Sequence, residues 1–362
     1  MQWLEKIKNF AERNERHLSL AAFGAGFVWD NLTLTRIDLL YDNLVMTLYM
    51  VVAVAGIIAH NAHDSGTFRG KTADRIAPWL PYAFQFAFGG LMSGFVVFYA
   101  RSATLSASWP FLLFLLLLFA GNEFFKKKYA KLTFQMSMFF ISIFSYCIFL
   151  VPVILQRMGA GVFLLSAAIS VAVTVAVSYA LKLVATPRFK ISSPYLKISV
   201  TIILVAFIFS YFTNIIPPLP LSLKKIGIYH NIVKVGNDYT VTYQPAAWYE
   251  FWRSESRIFA KNAGETVYAF SSVFAPGKIA TQIFHEWSVY NEDSGDWRVA
   301  SRIPFRIEGG RGDGYRGYTL KTNVSAGKWR VRVKTARGQV LGERIFEVVN
   351  AGESVRVETV QV

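Results

Sequence analysis

The chain has 362 residues, of which 53% are hydrophobic, 16% are aromatic and only 17% are charged. This composition is too apolar for a wholly soluble protein and predicts an integral membrane protein. The net charge of +15 does not indicate nucleic acid binding, because residues 1–217 hold 18 Lys and Arg against 9 Asp and Glu, whereas residues 218–362 hold 20 against 14. The larger excess lies in the apolar half, where basic loops set topology.

The first elements are short. Residues 1–17 predict an amphipathic segment on the membrane surface, since apolar side chains recur there at helical spacing among Lys, Arg and Glu. Residues 18–29 are apolar but shorter than the roughly 20 residues that a span requires. Val28-Trp29-Asp30 offers no small-residue cleavage site for a signal peptide. We therefore interpret this run as a retained first helix that is tilted or partly interfacial.

Six longer apolar runs predict membrane helices at residues 43–59, 79–99, 107–122, 132–156, 158–181 and 198–216. With the first helix they predict a membrane bundle of about seven helices over residues 18–216. The runs contain no Asp, Glu, Lys or Arg, whereas coupling ions usually require such groups near the midplane. Gly90 and Gly94 form a G-x-x-x-G pattern that predicts close helix packing.

Basic residues are concentrated in alternate loops. The loops at 61–78, 126–131 and 182–197 together hold eleven Lys and Arg, whereas the other loops contribute only Arg36, Arg101 and Arg157. The positive-inside rule predicts that the eleven face the cytoplasm, that the N-terminus is cytoplasmic and that the chain after Ile216 lies outside.

Three carboxylates and one guanidinium gather in the first predicted outer loop, at Asp30, Arg36, Asp38 and Asp42. One interpretation is a site for a phosphate or sugar head group, with Arg36 as the anion ligand. The other is an internal ion pair that fixes a helical hairpin.

Two further features give no evidence of a functional site. His60 and His63 have the spacing of metal ligands on a helix, but no second ligand cluster accompanies them, so we expect no metal site. Cys147 is the only cysteine, which leaves no disulfide framework.

The stretch from Asn214 to Leu221 separates two kinds of sequence. Pro217, Pro218 and Pro220 cannot continue a helix, and we expect residues 217–224 to form a stiff neck. Residues 225–362 predict a soluble, all-β, antiparallel, sandwich-like domain. Its expected strands are 239–243, 267–274, 283–290, 297–307, 315–321, 329–334, 340–348 and 354–360, and residues 246–261 are an expected helix.

One strand predicts a charged surface. Trp329, Val331 and Val333 alternate with Arg330, Arg332 and Lys334, so the first set faces a core and the second faces out. With Arg298 and Arg302, or Arg311 and Arg316, nearby, this predicts a basic face for anionic lipid head groups or acidic glycans. The alternative is an ordinary charged solvent face. His285 and Trp287, with Trp297, suggest an aromatic platform for a sugar, or else core residues.

Three motif matches are discounted. Residues 312–317 fit G-x-G-x-x-G, but a strand follows them where a dinucleotide site requires a helix. Arg311-Gly312-Asp313 is a short pattern that recurs by chance, and the sequon Asn323-Val324-Ser325 matters only in a secretory pathway that uses it. We find no catalytic signature and expect no cofactor.

The motif at residues 327–331, Gly-Lys-Trp-Arg-Val, is followed by Gly338-Gln339-Val340-Leu341-Gly342 and Phe346, and preceded by His285-Glu286-Trp287 and Gly309-Gly310-Arg311. These residues resemble the bacterial domain of unknown function 2914 family. The membrane half also resembles members of that family, at residues 27–30, 34–38 and 122–124. The resemblance implies a bacterial inner-membrane protein with a periplasmic C-terminal β domain, and it implies no activity.

We weigh three functions. The first is a non-enzymatic envelope protein whose β domain binds a glycan, a lipid head group or a protein as a scaffold or accessory subunit, in an oligomer or complex. The second is a lipid or glycan-lipid translocation component that uses Asp30, Arg36 and Asp38. The third is a membrane transferase or hydrolase that uses Asp30, Asp38 and Asp42. We favour the first, with the lipid bilayer and an envelope component as partners.

Overall fold

The structure, a computed structural model, describes residues 27–34, 38–102, 105–122, 128, 131–236, 238–250, 253–276, 279–308, 314–352 and 355–362. The predicted segment 1–17 and residues 18–26 of the first short helix lie outside these ranges. The chain divides into two compact units. The first comprises residues 1–100, 112–151 and 164–208, and the second comprises residues 101–111, 152–163 and 209–362.

The N-terminal part of the chain is helical. Its helices are α1 Leu40–Asp64, α2 Lys71–Ile76, α3 Leu80–Ser102, α4 Leu105–Gly121, α5 Leu132–Leu155, α6 Ala160–Val184 and α7 Thr186–Phe212. Residues 27–33 are also helical, and a 3-10 turn, Ala77–Trp79, joins α2 to α3. Among the described residues, five helical stretches are long and apolar enough to cross a membrane: α1, α2 through α3, α5, α6 and α7. The run predicted at 107–122 forms a shorter apolar helix.

Helices α1 and α3 pack closely through glycine. A Cβ atom built on Gly90 of α3 would lie 2.6 Å from Cε2 of Tyr49 of α1, and one on Gly94 would lie 2.7 Å from Sδ of Met46. Real Cβ atoms do not approach other atoms so closely, so a larger residue at either position would require the Tyr49 or Met46 side chain to move. The G-x-x-x-G pattern therefore serves helix packing within the first unit.

Buried amides join other helices of the first unit. Asn61 of α1 donates to Oε1 of Gln135 of α5 at 2.7 Å. Gln85 of α3 and Asn122, just after α4, donate reciprocally to each other's backbone carbonyl. A polar side chain in an apolar interior is costly unless it is paired, so these bonds fix which helix faces meet.

The predicted loop at 182–197 is wrong, because these residues are almost entirely helical. Helix α6 ends at Val184 and α7 begins at Thr186, so only Ala185 separates the two helices. Pro187 occupies the first turn of α7, where proline removes no intrahelical hydrogen bond. The basic residues of this segment, Lys182, Arg188, Lys190 and Lys197, consequently lie on helices.

The proline segment is buried within the second unit. Every residue from Ile216 to Ser222 is buried, and the Leu219–Pro220 peptide bond is cis. Gln339 donates from Nε2 to the carbonyl oxygen of Ile216 at 3.3 Å. Arg337 donates to the carbonyl oxygen of Tyr211 at 3.3 Å, and its guanidinium lies 3.8 Å from the centre of the Tyr211 ring. The turn that carries Arg337 and Gln339 thus holds the end of α7.

Eleven strands follow, and they confirm the predicted β-rich C-terminal region. They are β1 Ser222–Tyr229, β2 Asn231–Val235, β3 Asp238–Tyr243, β4 Ile258–Lys261, β5 Val267–Phe274, β6 Ala280–Asn291, β7 Asp296–Glu308, β8 Tyr315–Lys321, β9 Gly327–Thr335, β10 Val340–Asn350 and β11 Glu358–Gln361. The sheet orders are β4-β10-β9-β6-β7, β1-β5-β8 and β11-β3-β2. All pairs are antiparallel except β4 with β10, which is parallel.

The core lies between the five-stranded sheet and the sheet β1-β5-β8. One buried cluster joins Ala269 of β5 to Trp287 of β6 and Val331 of β9. A second cluster joins Val273 of β5 to Ile283 and Val333. Since both sheets contribute inward side chains to both clusters, the arrangement is sandwich-like.

The helix predicted at residues 246–261 is wrong. The described part of this segment forms turns and then β4, with the Ala246 amide donating to the Ser254 carbonyl at 3.1 Å. Arg344 of β10 donates to the carbonyl oxygens of Glu255 and Ser256 at 3.2 Å. Residues Ile258–Lys261 pair with the open edge of β10 and form strand β4. Pairing with a distant strand therefore overrides the conformation that the local composition favours.

Candidate functional site

One side of the five-stranded sheet faces away from the core and carries most of the sheet's charge. Strand β9 alternates as predicted: Trp329, Val331 and Val333 are buried in the core. Arg330, Arg332 and Lys334 lie on the opposite side, together with Lys328 of the same strand. We call this side the charged face.

Adjacent strands place the charges in an alternating row. Arg332 of β9 lies opposite Glu343 of β10 on one side and Glu286 of β6 on the other, and Glu286 in turn lies opposite Arg302 of β7. Arg332 donates from Nε to Glu343 at 2.9 Å. Lys334 reaches Glu286 at 2.5 Å. Two of the three predicted cations of β9 are therefore neutralised by carboxylates on their own face.

Other cations of the charged face lie over aromatic rings. The Arg302 guanidinium is 4.5 Å from the ring centre of Phe284, and the Lys328 ammonium is 5.6 Å from that of Tyr290. The Arg330 guanidinium is 4.3 Å from the ring centre of Trp297. Such contacts favour the charged form electrostatically and hold long side chains in place.

Arg330 differs from its neighbours on β9. It has 8% of its surface exposed, and within the described part of the chain no carboxylate forms an ion pair with it and its guanidinium makes no hydrogen bond. Its Nε is buried without a partner, as is Oγ of Ser288, which is the residue opposite Arg330 on β6. Burial lowers the pKa of Arg330, and the charge of Arg332 lowers it further, whereas the charges of Glu343 and Glu286 act in the opposite direction.

The remaining predicted cations do not join this cluster. Arg316 lies on β8 in another sheet, where it donates to Oδ1 of Asp238 at 2.7 Å and to the carbonyl oxygen of Val362 at 3.1 Å. Arg311 lies outside the described residues.

His285 and Trp287 are fully buried, so neither offers a ring face to a sugar. Both lie in the core, as the alternative interpretation predicted. His285 bonds Oγ of Ser271 through Nε2 at 2.8 Å and Oγ1 of Thr319 through Nδ1 at 2.9 Å. Trp287 donates to the same Thr319 oxygen at 3.2 Å. Burial lowers the pKa of His285 to about 3, so the imidazole is neutral in the folded state.

The predicted carboxylate cluster belongs to the first unit. Asp30 is buried. Asp42 is buried in the first turn of α1, and Asp38 is partly exposed. Arg36, the proposed anion ligand, lies outside the described residues. Burial removes Asp30 and Asp42 from the solvent-facing position that a head-group site requires.

His60 and His63 lie in the last turns of α1 beside carboxylates. His63 contacts Asp74 of α2 at 3.0 Å, and His60 lies 3.6 Å from Asp64. Arg188 of α7 also pairs with Asp64. The described residues contain no group of three or more His, Cys, Asp or Glu that could hold a metal ion.

Ser288 was not predicted as a site residue, and Trp297 was noted only as a possible part of a platform. The alternation within β6 contained the missing signal, because Phe284, Glu286, Ser288 and Tyr290 fall on the side opposite to His285 and Trp287. The hairpin register then places Trp297 of β7 opposite Tyr290.

Residues 280–348 match a family model described as Protein of unknown function (DUF2914). The match runs from β6 into β10, which are the strands that form most of the charged face. It supports the resemblance found in the sequence over this region. No curated protein matches the chain.

Similarities to solved structures are weak. A crystal structure of a β-glucosidase from Kluyveromyces marxianus in complex with glucose is 11% identical, with 38% of this chain and 14% of that chain covered and a TM-score of 0.17. A Pseudomonas fluorescens alkylpurine DNA glycosylase, AlkC, bound to DNA with an abasic site analog is 9% identical, with 87% and 99% covered and a TM-score of 0.22. The chain spans about a seventh of the β-glucosidase's length. At these TM-scores neither similarity informs the fold or the function.

Proposed function

We propose that the chain is a multi-pass protein of the bacterial inner membrane whose periplasmic β region binds an envelope partner without catalysing a reaction. Five helical stretches of spanning length support the membrane setting. The basic loops support a cytoplasmic N-terminus and a periplasmic β region. The partner is a glycan, a lipid head group or a protein, and the chain acts as a scaffold or accessory subunit.

The main support for this proposal is that the side chains of the charged face are held in fixed positions. Its cations are held in place by aromatic rings and carboxylates of neighbouring strands, so they lose little conformational entropy when a partner binds. Arg330 adds a cation that forms no ion pair among the described residues. An ordinary solvated face would instead present long side chains free to move.

Translocation of a lipid or glycan-lipid ranks second. That function requires Asp30, Arg36 and Asp38 to receive a head group at the membrane face. The burial of Asp30 favours a packing role for this carboxylate.

Site-specific photo-crosslinking in living cells tests the proposal. A photoreactive amino acid is placed at Val299 or Ile345, two exposed positions of the charged face. Matched controls are placed at Leu320 of β8 and Val360 of β11, which have similar exposure on other sheets. We expect adducts from the first pair alone, and mass spectrometry then shows whether each adduct is a saccharide, a lipid or a polypeptide.

Equal adducts at all four positions, or none at any of them, would contradict binding through the charged face. An adduct of any of the three chemical classes from Val299 and Ile345 alone would support it.

A further inference from the structure

Four strands place four side chains in one row across the middle of the charged face. Ile345 of β10 lies opposite Arg330 of β9, Arg330 lies opposite Ser288 of β6, and Ser288 lies opposite Val299 of β7. Ile345 and Val299 are 47% and 53% exposed, whereas Arg330 and Ser288 are 8% and 0% exposed. The row is thus a shallow trough with an apolar residue at each end.

The Arg330 side chain lies along this trough. Since β6 separates β9 from β7 in the sheet, Arg330 must extend across β6 to bring its guanidinium to Trp297. It therefore covers Ser288. At 4.3 Å from the ring centre, the guanidinium can meet Trp297 with its flat side, which leaves its in-plane N–H donors available for an acceptor. The buried Nε of Arg330 and Oγ of Ser288 remain unpaired, which is an arrangement that folded proteins usually avoid.

We propose that Arg330, held on Trp297, is the centre of a binding site for an acidic saccharide, a sugar that carries a carboxylate or a phosphate. The planar donors of Arg330 match two oxygens of such an anion. Val299, together with the parts of the Trp297 and Tyr290 rings that Arg330 and Lys328 leave uncovered, provides apolar surface for the C–H face of the sugar ring. This inference rests on the proposed function, in which the charged face binds an envelope partner.

The neighbouring rows favour a single anionic group over an extended anionic surface. Glu343 and Glu286 lie in the row on one side of Arg330, and Glu347 lies opposite Lys328 in the row on the other side. These carboxylates would repel the dense negative charge of a lipid bilayer brought flat against the face. A sugar with one acidic group contacts Arg330 and leaves them in solvent.

Binding to the purified full chain in neutral detergent micelles tests the site. The probes are glucuronic acid and glucose 1-phosphate, with glucose and inorganic phosphate as the uncharged and sugar-free controls. A further measurement, with vesicles of phosphatidylglycerol added to the chain in nanodiscs, tests whether the anion bound is instead the phosphate of a lipid head group. We expect both acidic sugars to bind at least about tenfold more tightly than either control, because only they engage both the guanidinium and the rings.

Two variants and one matched control locate the site. Arg330→Met removes the charge and should weaken binding of the acidic sugars about tenfold or more. Arg330→Lys keeps the charge but loses the paired donors, so it should also weaken binding. Arg302→Met removes a cation from the same face that also lies over a ring, and it should change binding less than about twofold. Urea unfolding of each variant shows whether the β region is still folded.

Several results would overturn the site. For the variants, these results are equal weakening of acidic-sugar binding by Arg302→Met and Arg330→Met, or unchanged binding of the acidic sugars by Arg330→Lys. For the ligands, they are binding of inorganic phosphate as tight as that of glucose 1-phosphate, or binding to vesicles without binding to sugars. Polypeptide adducts from Val299 would likewise overturn the saccharide while leaving the proposed function standing. Failure of all four crosslinking positions would remove the proposed function itself.

Discussion

At the scale of single residues, His285 is the centre of a buried hydrogen-bond network in the β core. Its contacts with Ser271 and Thr319 resemble the pairing of a nucleophile with a base. All three side chains are buried, however, and a substrate cannot reach them. Ser271 lies on β5, His285 on β6 and Thr319 on β8, so the network joins the two sheets of the sandwich. Its role is to satisfy polar groups in the core and fix how the sheets align.

The His285 network predicts that the stability of the β region falls as the pH falls. The unfolded imidazole titrates near its ordinary pKa of 6.5, whereas the folded one titrates at about 3. Below pH 6.5 the unfolded state therefore binds more protons, and at pH 5 this costs about 2 kcal/mol of unfolding free energy relative to pH 8. Urea unfolding of the full chain, followed by tryptophan fluorescence, measures this loss.

His285→Gln is the informative variant, because glutamine keeps a donor and an acceptor but does not titrate. It should lower stability at pH 8 and reduce the loss between pH 8 and pH 5 by about 2 kcal/mol. An unchanged pH dependence in this variant would show that other groups govern the acid sensitivity.

At the scale of elements, β9 shows how far a sequence pattern reaches. The period of two placed Trp329, Val331 and Val333 in the core, because successive side chains of a strand point to opposite faces. The same pattern could not show that Arg332 meets Glu343 and Glu286, since those partners depend on the register of β10 and β6. It also could not show that Lys334 forms an ion pair and Arg330 does not, because this depends on which residues of the neighbouring strands lie beside them.

The elements that the sequence missed have a common cause. Strands β1, β2 and β4 are short or irregular in hydrophobic pattern. The partners of β1 and β4 are also distant in sequence, since β1 pairs with β5 and β4 pairs with β10. Helix α7 was predicted too short because Lys190 and Lys197 interrupt its apolar pattern, although a helix tolerates them on an exposed side. Local pattern fails where tertiary pairing or a neighbouring surface decides the conformation.

Helix packing gives the next prediction. A side chain at Gly90 would overlap the Tyr49 ring, so Gly90→Val should cost about 1–3 kcal/mol of stability. Thermal unfolding in detergent measures the loss. Tyr49→Ala should relieve much of the overlap, so the double variant should lose less stability than the sum of the two single variants.

Gly161→Val is the matched control for this substitution. Gly161 also lies in a helix, α6, but a Cβ atom there would meet nothing within 4 Å. We expect a change of at most about 0.5 kcal/mol. Equal losses from Gly90→Val and Gly161→Val would show that α1 and α3 do not pack through Gly90.

At the scale of the whole molecule, the composition change at the prolines and the division into compact units do not coincide. The second unit includes residues 101–111 and 152–163 as well as the β region. Met158 packs against the buried cluster that contains Leu221 and Leu341, and Phe163 stacks on Tyr211 with ring centres 3.7 Å apart. The composition of a segment indicates whether it prefers water or lipid. It does not indicate contacts such as these, which join residues that are far apart in the sequence.

This grouping bears on the predicted orientation. The loops around Arg101 and Arg157 are two of the sparsely charged loops predicted to lie on the same side as the chain after Ile216. Both fall within the unit that contains the β region. The richly basic segments 61–78 and 182–197 fall within the other unit. The agreement between loop charge and compact units is incomplete, because the sparsely charged loop around Arg36 also falls within the first unit.

Reporter fusions test that orientation directly. Alkaline phosphatase is active only outside the cytoplasm, so a fusion after Leu221 should be active and a fusion after Ala130, in the basic loop at 126–131, should be inactive. The physical reason is that a short loop with several Lys residues is retained in the cytoplasm. The reverse pair of activities would place the β region in the cytoplasm. Its charged face could then meet no periplasmic glycan, and the proposed function would have to be abandoned along with the topology.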